Sequence, residues 1–306
     1  MDMKNKIFVI IVTYKGRRWY DDCFQSLLKS TLPVQMIVVD NTPDGEDAMY
    51  IKENYPMIHL IKTTDNMGFG KANNLAMRYA YDHGCDYVFL LNQDTWLLKD
   101  DTIEQLVKIA EHHPEYGILS PMHLSADRTY LNMDYEYERG LCARQLVNDL
   151  YCDTLKDIYE TDYVNAAAWL LPRRTLETVG GFDPLFTQYA EDDDYIHRVR
   201  YHGLKIGLCP QQAIIHDHTL ENWSEEGKMH FMKANEDHLE LLLDINKEYS
   251  YCGLQRQNLN RLIKAICAGD KSSVQRIRRR MKYIYRNNRA IKEHRNINSQ
   301  KGLTWL

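Results

Sequence analysis

The most constraining feature of this chain is a series of short apolar segments, each ending in polar residues and each followed by a helical stretch. Ile7–Thr13, Gln35–Asp40, Ile58–Lys62 and Tyr87–Asn92 read as strands. Trp19–Lys29, Ala48–Asn54 and Gly70–His83 lie between them and read as helices. This alternation predicts a mostly parallel sheet covered on both faces by helices. In such a sheet ligands bind beyond the carboxyl ends of the strands. The polar clusters fall there: Thr13-Tyr14-Lys15, Asp40-Asn41, Asp65-Asn66 and Asn92-Gln93-Asp94. Four polar strand ends on one edge predict a nucleotide pocket.

Further along, Thr102–His112 reads as a helix with Asp100 or Asp101 as its N-cap, and Ile118–Pro121 as a buried strand. Residues 122–162 lose the pattern, are rich in Tyr, Asp and Arg, and read as an excursion over a site. Tyr163–Pro172 restores a strand, and Arg174–Val179 a helix stopped by Gly180-Gly181. Asp193–His202 reads as a helix and Lys205–Cys209 as a strand; from about Ser224 the pattern is helical only.

Composition removes several classes. No stretch of the 306 residues approaches the roughly 18–20 apolar residues of a membrane span. The apolar run Ile7–Val12 leads into Thr13-Tyr14-Lys15 and not into a small-residue cleavage site, so it reads as a strand and not a signal peptide. The seven cysteines are odd in number and form no Cys-x-x-Cys pair. That argues against a disulfide framework or zinc cluster and fits a reducing, cytoplasmic compartment. The net charge of −5 hides an asymmetry: from Lys271 onward there are eleven Lys/Arg and one acid, Glu293. A nucleic-acid binder is not expected from an acidic body with a basic tail. The tail suits peripheral contact with an anionic membrane surface, or else a solvated helix face that offsets the acidic body.

Four constellations carry chemistry. Leu90-Leu91-Asn92-Gln93-Asp94 delivers an acid to a strand end, and strand alternation would set Asn92 and Asp94 on one side. A hard divalent cation takes oxygen ligands and could bridge Asp94 to a diphosphate, although Asn and Asp also simply cap turns. Asn66-Met67-Gly68-Phe69-Gly70-Lys71 leads two glycines into a helix whose N-terminus favours an anion. Glu191-Asp192-Asp193-Asp194 could supply a general base, or could decorate a helix N-terminus; Asp194 and Arg198, four apart, read as a structural pair. His216, after Ala213-Ile214-Ile215, could complete a metal site begun by Asp94.

The order of these segments resembles the family 2 glycosyltransferases of the GT-A fold, over roughly residues 6–220. The matching segments include Ile10 to Tyr14, Val38 to Asn41, Asn66 to Asn74 and Leu91 to Asp94. They continue through Ala166 to Arg173, Val179 to Asp183 and Tyr189 to Arg198, with His216 last. The resemblance implies an α/β GT-A domain over 1–223, with a nucleotide-sugar-binding half to about 121 and an acceptor-binding half over 122–223. A basic helical extension would follow over 224–306. It implies that Thr13, Tyr14, Asp40, Asn66, Gly68, Lys71, Asn92 and Asp94 bind the nucleotide sugar. Asp94 and His216 would hold Mg2+ or Mn2+. Asp192 would be the base that activates an acceptor hydroxyl, Glu191 would lie beside it, and Trp169 could stack on an acceptor sugar. It implies an inverting transfer to a glycan or lipid-linked acceptor in cell-surface polysaccharide synthesis. Two departures stand out: Asn92 replaces a usual acid and Asn165 a common glycine. The Asn-Gln-Asp form resembles the rhamnosyltransferase branch, which implies dTDP-rhamnose, with UDP-hexoses open.

Other classes fit less well. A nucleotidyltransferase or a nicotinamide oxidoreductase wants a glycine-rich loop after the first strand, but Thr13-Tyr14-Lys15-Gly16 has one glycine. A non-catalytic nucleotide-sugar-binding module remains the alternative, against which the Glu191-Asp192 pair argues.

Overall fold

The structure, a computed structural model, describes residues 5–43, 45–131, 143–217, 229 and 238–306. The expected boundary at 223/224 lies outside these residues.

Strand β1 (Ile7–Thr13) is β-branched and aromatic almost throughout, and nearly every residue is buried. Alternation sends its side chains to two different cores. Ile7, Val9 and Ile11 join Tyr20, Phe24 and Leu27 of helix α1 (Tyr20–Leu28), and Leu106 of helix α4 (Thr102–His112). Phe8 and Ile10 join Ala72, Ala76 and Met77 of helix α3 (Phe69–Asp82). A strand buried on both faces cannot alternate with polar residues, which is why its sequence is a continuous apolar run.

Strands β2 (Val34–Asp40), β3 (His59–Lys62) and β4 (Tyr87–Leu91) extend the sheet, with β3-β2-β1-β4 all parallel. Helix α2 (Glu46–Asn54) connects β2 to β3. Beyond β4 the direction changes. Strand β8 (Ala168–Pro172) pairs antiparallel with β4 and with β6 (Tyr116–Leu124). Strand β9 (Lys205–His216) lies parallel to β6. Short strands β5 (Thr95–Leu97) and β7 (Tyr159–Glu160) pair antiparallel with opposite halves of β9. The sheet is therefore mixed: the parallel expectation describes its first half, and antiparallel pairings build the second. β9 is also longer than expected. It runs through Pro210 to His216, and a register shift opposite Pro121/Met122 absorbs the proline.

Helix α5 (Ala143–Tyr151) precedes β7, and α6 (Arg173–Val179) and α7 (Glu191–Tyr201) flank the second core. The C-terminal part holds α8 (Leu239–Leu243), α9 (Tyr251–Cys267) and α10 (Lys271–Asn298). Their apolar side chains Leu242, Leu243, Ile284 and Ile291 form a third cluster with Phe186. Six described cysteines are unpaired. Among the described residues no helix is long and apolar enough to cross a membrane.

Candidate active site

The parallel strands bring their carboxyl ends to one edge. Thr13 and Asp40 are register partners there, and the Thr13 hydroxyl donates to Asp40 Oδ1 at 3.2 Å. The backbone N–H of Thr42 donates to the same oxygen at 3.0 Å. Asp40 is fully buried, and its other oxygen, Oδ2, has no protein partner. A buried carboxylate oxygen left without a donor is costly. An N–H donor on a bound ligand would remove that cost.

Asn41 ties this edge to the glycine loop. Its amide donates to the Gly68 carbonyl at 3.3 Å and accepts from the Met67 N–H at 3.4 Å. The Asn66 side chain accepts from the Gly68 N–H at 2.9 Å, which bends the loop into α3. Gly68 itself has φ +80, and a side chain there would meet the Thr187 carbonyl oxygen at 2.2 Å. Glycine is needed both for the backbone angle and for that close approach. Tyr14 is half-buried, and Lys71 is exposed on the first turn of α3.

The Asn92-Gln93-Asp94 segment is a turn and not a continuation of β4. The Thr95 N–H and hydroxyl both return to the Asn92 carbonyl, at 3.2 and 2.6 Å. Strand alternation therefore does not relate Asn92 to Asp94. The turn instead aims Asp94 at the end of β9, where Asp94 Oδ1 lies 3.7 Å from His216 Nε2. Two supports fix that approach. Thr95 is the register partner of His216, and the Asp217 N–H donates to the Asp94 carbonyl at 2.9 Å. Two ligands about 2.1 Å from one cation stand roughly 3–4 Å apart. The separation fits a divalent ion between them. Among the described residues no cluster of three or more His, Cys, Asp or Glu could hold a metal. Further ligands would have to come from the Asn92 amide or from a bound diphosphate. His123, fully buried, packs edge-on to His216 with ring centroids 5.6 Å apart; burial pushes its pKa well below the usual value.

Glu191 and Asp192 open α7. Tyr189 and Ala190 immediately before them both have φ 67, a left-handed conformation that is uncommon for side-chain-bearing residues. Glu191 is buried, and its Oε2 has no protein partner. Burial, helped by the charge of Asp192, pushes its pKa up to about 8. At neutral pH Glu191 is thus a neutral acid that can donate a hydrogen bond. Asp192 is half-buried; its Oδ2 accepts from the Tyr163 hydroxyl at 2.8 Å and its Oδ1 from the Asp193 N–H at 2.9 Å. Asp194 and Arg198 form a fully buried pair at 2.8 Å, and Arg198 also holds the Val179 and Gly181 carbonyls. This is the structural pair expected from their spacing.

The two sides meet. The Cβ of Glu191 lies 3.9 Å from where a side chain on Gly70 would begin, so the start of α7 abuts the start of α3. The segment from Tyr163 to Ala167 spans the remaining gap. Tyr163 holds Asp192, and the Ala167 carbonyl accepts from the Asn92 N–H at 2.9 Å. Four residue steps reach at most about 14 Å, which is the scale of a nucleotide sugar. Asn165 lies inside this segment and accepts from the Ala167 N–H at 2.8 Å.

Trp169 is not part of this surface. Its side chain is fully buried on β8, with its ring 6.2 Å from Phe182 and 5.8 Å from Tyr195. The parity of β8 turns it into the second core, so it is a packing residue and no acceptor platform.

Several residues that hold these elements in place have no role assigned to them by the sequence alone. Gln93 clamps the ends of β1 and β4: its Oε1 accepts from the Tyr14 N–H at 2.9 Å and its amide donates to the Tyr14 carbonyl at 3.2 Å. Tyr163 could be suspected only from its place before the apolar run. Asp183, in the Gly-Gly-Phe-Asp segment, is buried and grips the far end of the chain. His294 Nδ1 lies 2.6 Å from Asp183 Oδ1, and the Asn298 amide donates to Oδ2 at 2.8 Å. Gly180, with φ +80, makes room for the Thr304 carbonyl, which lies 2.1 Å from where its side chain would begin.

Residues 8–159 match the family described as Glycosyl transferase family 2. The chain belongs to that family. The low-salt glycan biosynthesis hexosyltransferase Agl10 of Haloferax volcanii is 24% identical over 220 residues, covering 72% of this chain and 69% of that protein. The N-acetylglucosaminyl-diphospho-decaprenol L-rhamnosyltransferase of Mycobacterium tuberculosis is 24% identical over 237 residues, covering 70% and 76%. Among solved structures, a mannosyltransferase from Pyrobaculum calidifontis in complex with GDP-Man and Mn2+ aligns with a TM-score of 0.59 at 16% identity, over 97% of this chain and 86% of that one. The fold is GT-A, and the chain is a glycosyltransferase of the rhamnosyltransferase-like kind that takes a nucleotide-sugar donor.

Proposed function

We propose that this glycosyltransferase is metal-dependent and inverting, and that it moves a hexosyl group, L-rhamnose from dTDP-rhamnose by preference over UDP-hexoses, onto a hydroxyl of a glycan or lipid-linked acceptor. The observation that carries this reading is two unlike polar groups tied to the two ends of one short segment, Asp192 to Tyr163 and Asn92, beside Asp94, to Ala167. Asp94 and His216 stand 3.7 Å apart on one side. Asp192 stands on the other, at the start of α7.

On the donor side, Asp40 offers its unpartnered Oδ2 to an N–H of the base, with Thr13 fixing the carboxylate. Asn66 shapes the Gly68 loop, so the backbone at the start of α3 faces anionic oxygens. Tyr14, Lys71 and Asn92 complete the nucleotide-sugar side. Asp94 and His216 are the residues that would hold Mg2+ or Mn2+. A divalent cation bound there would stabilise charge on the departing diphosphate.

On the acceptor side, Asp192 takes the proton of the acceptor hydroxyl as that oxygen attacks the anomeric carbon from the face opposite the diphosphate. One displacement inverts the configuration. The Tyr163 hydroxyl and the Asp193 N–H orient the carboxylate for that proton transfer. Glu191, neutral below about pH 8, donates a hydrogen bond to a sugar hydroxyl beside it. The mycobacterial relative's name specifies a diphospho-decaprenol-linked acceptor. That name supports a lipid-linked acceptor and a role in cell-surface polysaccharide synthesis here. The unpaired cysteines support a cytoplasmic site of action.

The test is sugar release and transfer from a panel of dTDP- and UDP-sugars, with Mn2+, with Mg2+ and with excess EDTA. Rhamnose transfer that EDTA suppresses by about 10²-fold or more is expected. Full activity in EDTA would remove Asp94 and His216 as metal ligands. A β-configured donor yielding a β-configured product would remove inversion.

A further inference from the structure

We propose that the hairpin of α9 and α10 is a surface that lies on anionic lipid bilayers. The two helices run antiparallel around a tight connection at Ala268–Asp270, where Gly269 has φ +69. The Gln255 amide donates to the Met281 carbonyl across the hairpin at 3.1 Å. Asn258 and Ala265 of α9 are buried, and Ile284 and Ile291 of α10 enter the third core. The inner faces are thus already occupied.

An apolar stripe remains outside. Leu259, Ile263 and Ile266 are 48, 52 and 53% exposed, at helical positions that share one face. Beside it, α10 carries Lys271, Arg278, Lys282 and Arg289 on one exposed stripe, with Tyr285 70% exposed among them. Helical register turns the α10 stripe away from Ile284 and Ile291, and the α9 stripe off the face that buries Asn258 and Ala265. From Tyr251 to Lys292 there are twelve Lys/Arg and one acid, Asp270.

Charge complementarity selects the occupant. A second copy would bring like charge to like charge. A nucleic acid would satisfy the cations and leave three aliphatic side chains unused. An anionic bilayer takes both, with aliphatic groups entering the headgroup boundary and cations meeting lipid phosphates. No described helix can span a bilayer, so the hairpin would lie on it. The base of α10 is locked to the catalytic body through His294 and Asn298 on Asp183, eight residues before Glu191. Contact with the bilayer would therefore hold the acceptor side at a fixed attitude to a lipid-linked hydroxyl.

The experiment uses the full chain with phosphatidylcholine vesicles and with phosphatidylcholine–phosphatidylglycerol vesicles, in low and high salt. Two triple variants are compared, L259S/I263S/I266S and R278E/K282E/R289E. The wild type should partition to the anionic vesicles about tenfold or more above the neutral ones, and each variant should lose that excess. Melting temperature and transfer to a water-soluble acceptor should stay unchanged, which separates this surface from the chemistry of the site. Should a variant fail to fold, slowed hydrogen exchange over residues 259–266 of the wild type on adding anionic vesicles supplies the same answer. Equal partition to both vesicle types overturns the proposal. So does a doubled solution mass that the apolar variant abolishes without any vesicle binding, since the occupant is then a second copy.

Discussion

The donor edge and the acceptor side are held together by different means. At the donor edge, Thr13, Asp40, Asn41 and Gly68 are fixed by neighbours on adjacent parallel strands and one loop. On the acceptor side, the helix bearing Glu191 and Asp192 rests on contacts from distant parts of the chain. Tyr163 holds Asp192 from one direction. From the other, His294, Asn298 and Thr304 brace the Gly180–Asp183 segment that leads into it. The proposed donor site is a property of the sheet, whereas the proposed acceptor site rests on contacts from the C-terminal residues. Damage to the brace should therefore separate acceptor chemistry from donor binding.

The largest separation is expected from Asp192→Asn. Turnover should fall by about 10²–10⁴-fold, with donor affinity by calorimetry kept. Near-normal turnover would refute the base assignment.

Asp183→Asn comes next and sharpens the comparison without touching the site. It weakens two side-chain hydrogen bonds to a buried carboxylate, and should cost about 2–3 kcal/mol in urea unfolding. Transfer should fall while donor binding holds. An equal loss in both would mean that the two sides are not separable.

The smallest effect is a pH profile. Burial holds Glu191 protonated up to about pH 8, so its hydrogen-bond donation is present at neutral pH and is lost as pH rises through that value. Wild-type transfer should decline above pH 8, and Glu191→Gln, a permanent neutral donor, should stay flat there. The native state also keeps a proton that the unfolded chain has released above its ordinary carboxyl pKa. Wild-type stability should therefore decrease from about pH 4.5 to 8, and the Gln variant should lack that slope. Identical profiles for both proteins would place the Glu191 pKa outside this range.

How much was legible follows the same division. Strands β1, β2 and β4, helices α1 to α4 and the polar strand ends could be read directly, because a doubly covered parallel strand must be apolar and its end must be polar. The Asn92–Asp94 turn was read as a strand end because the residues suit either, and only the return of Thr95 to the Asn92 carbonyl decides it. Only Lys205–Cys209 of β9 reads as a strand, because Pro210 breaks a pattern that a bulge repairs in three dimensions. Trp169 could equally have been platform or core, and strand parity sent it to the core.

The sequence by itself determined the class of sheet in the first half, the edge where its polar strand ends gather, and the residue types found there. Those depend on short-range periodicity, which every apolar run carries in its own residues. The tertiary structure alone decided that Asp94 faces His216, that Tyr163 holds Asp192, and that the last residues of the chain brace the segment leading into the helix that bears Asp192. Each of these joins side chains many residues apart, and no local pattern records which distant partner a buried polar group will find.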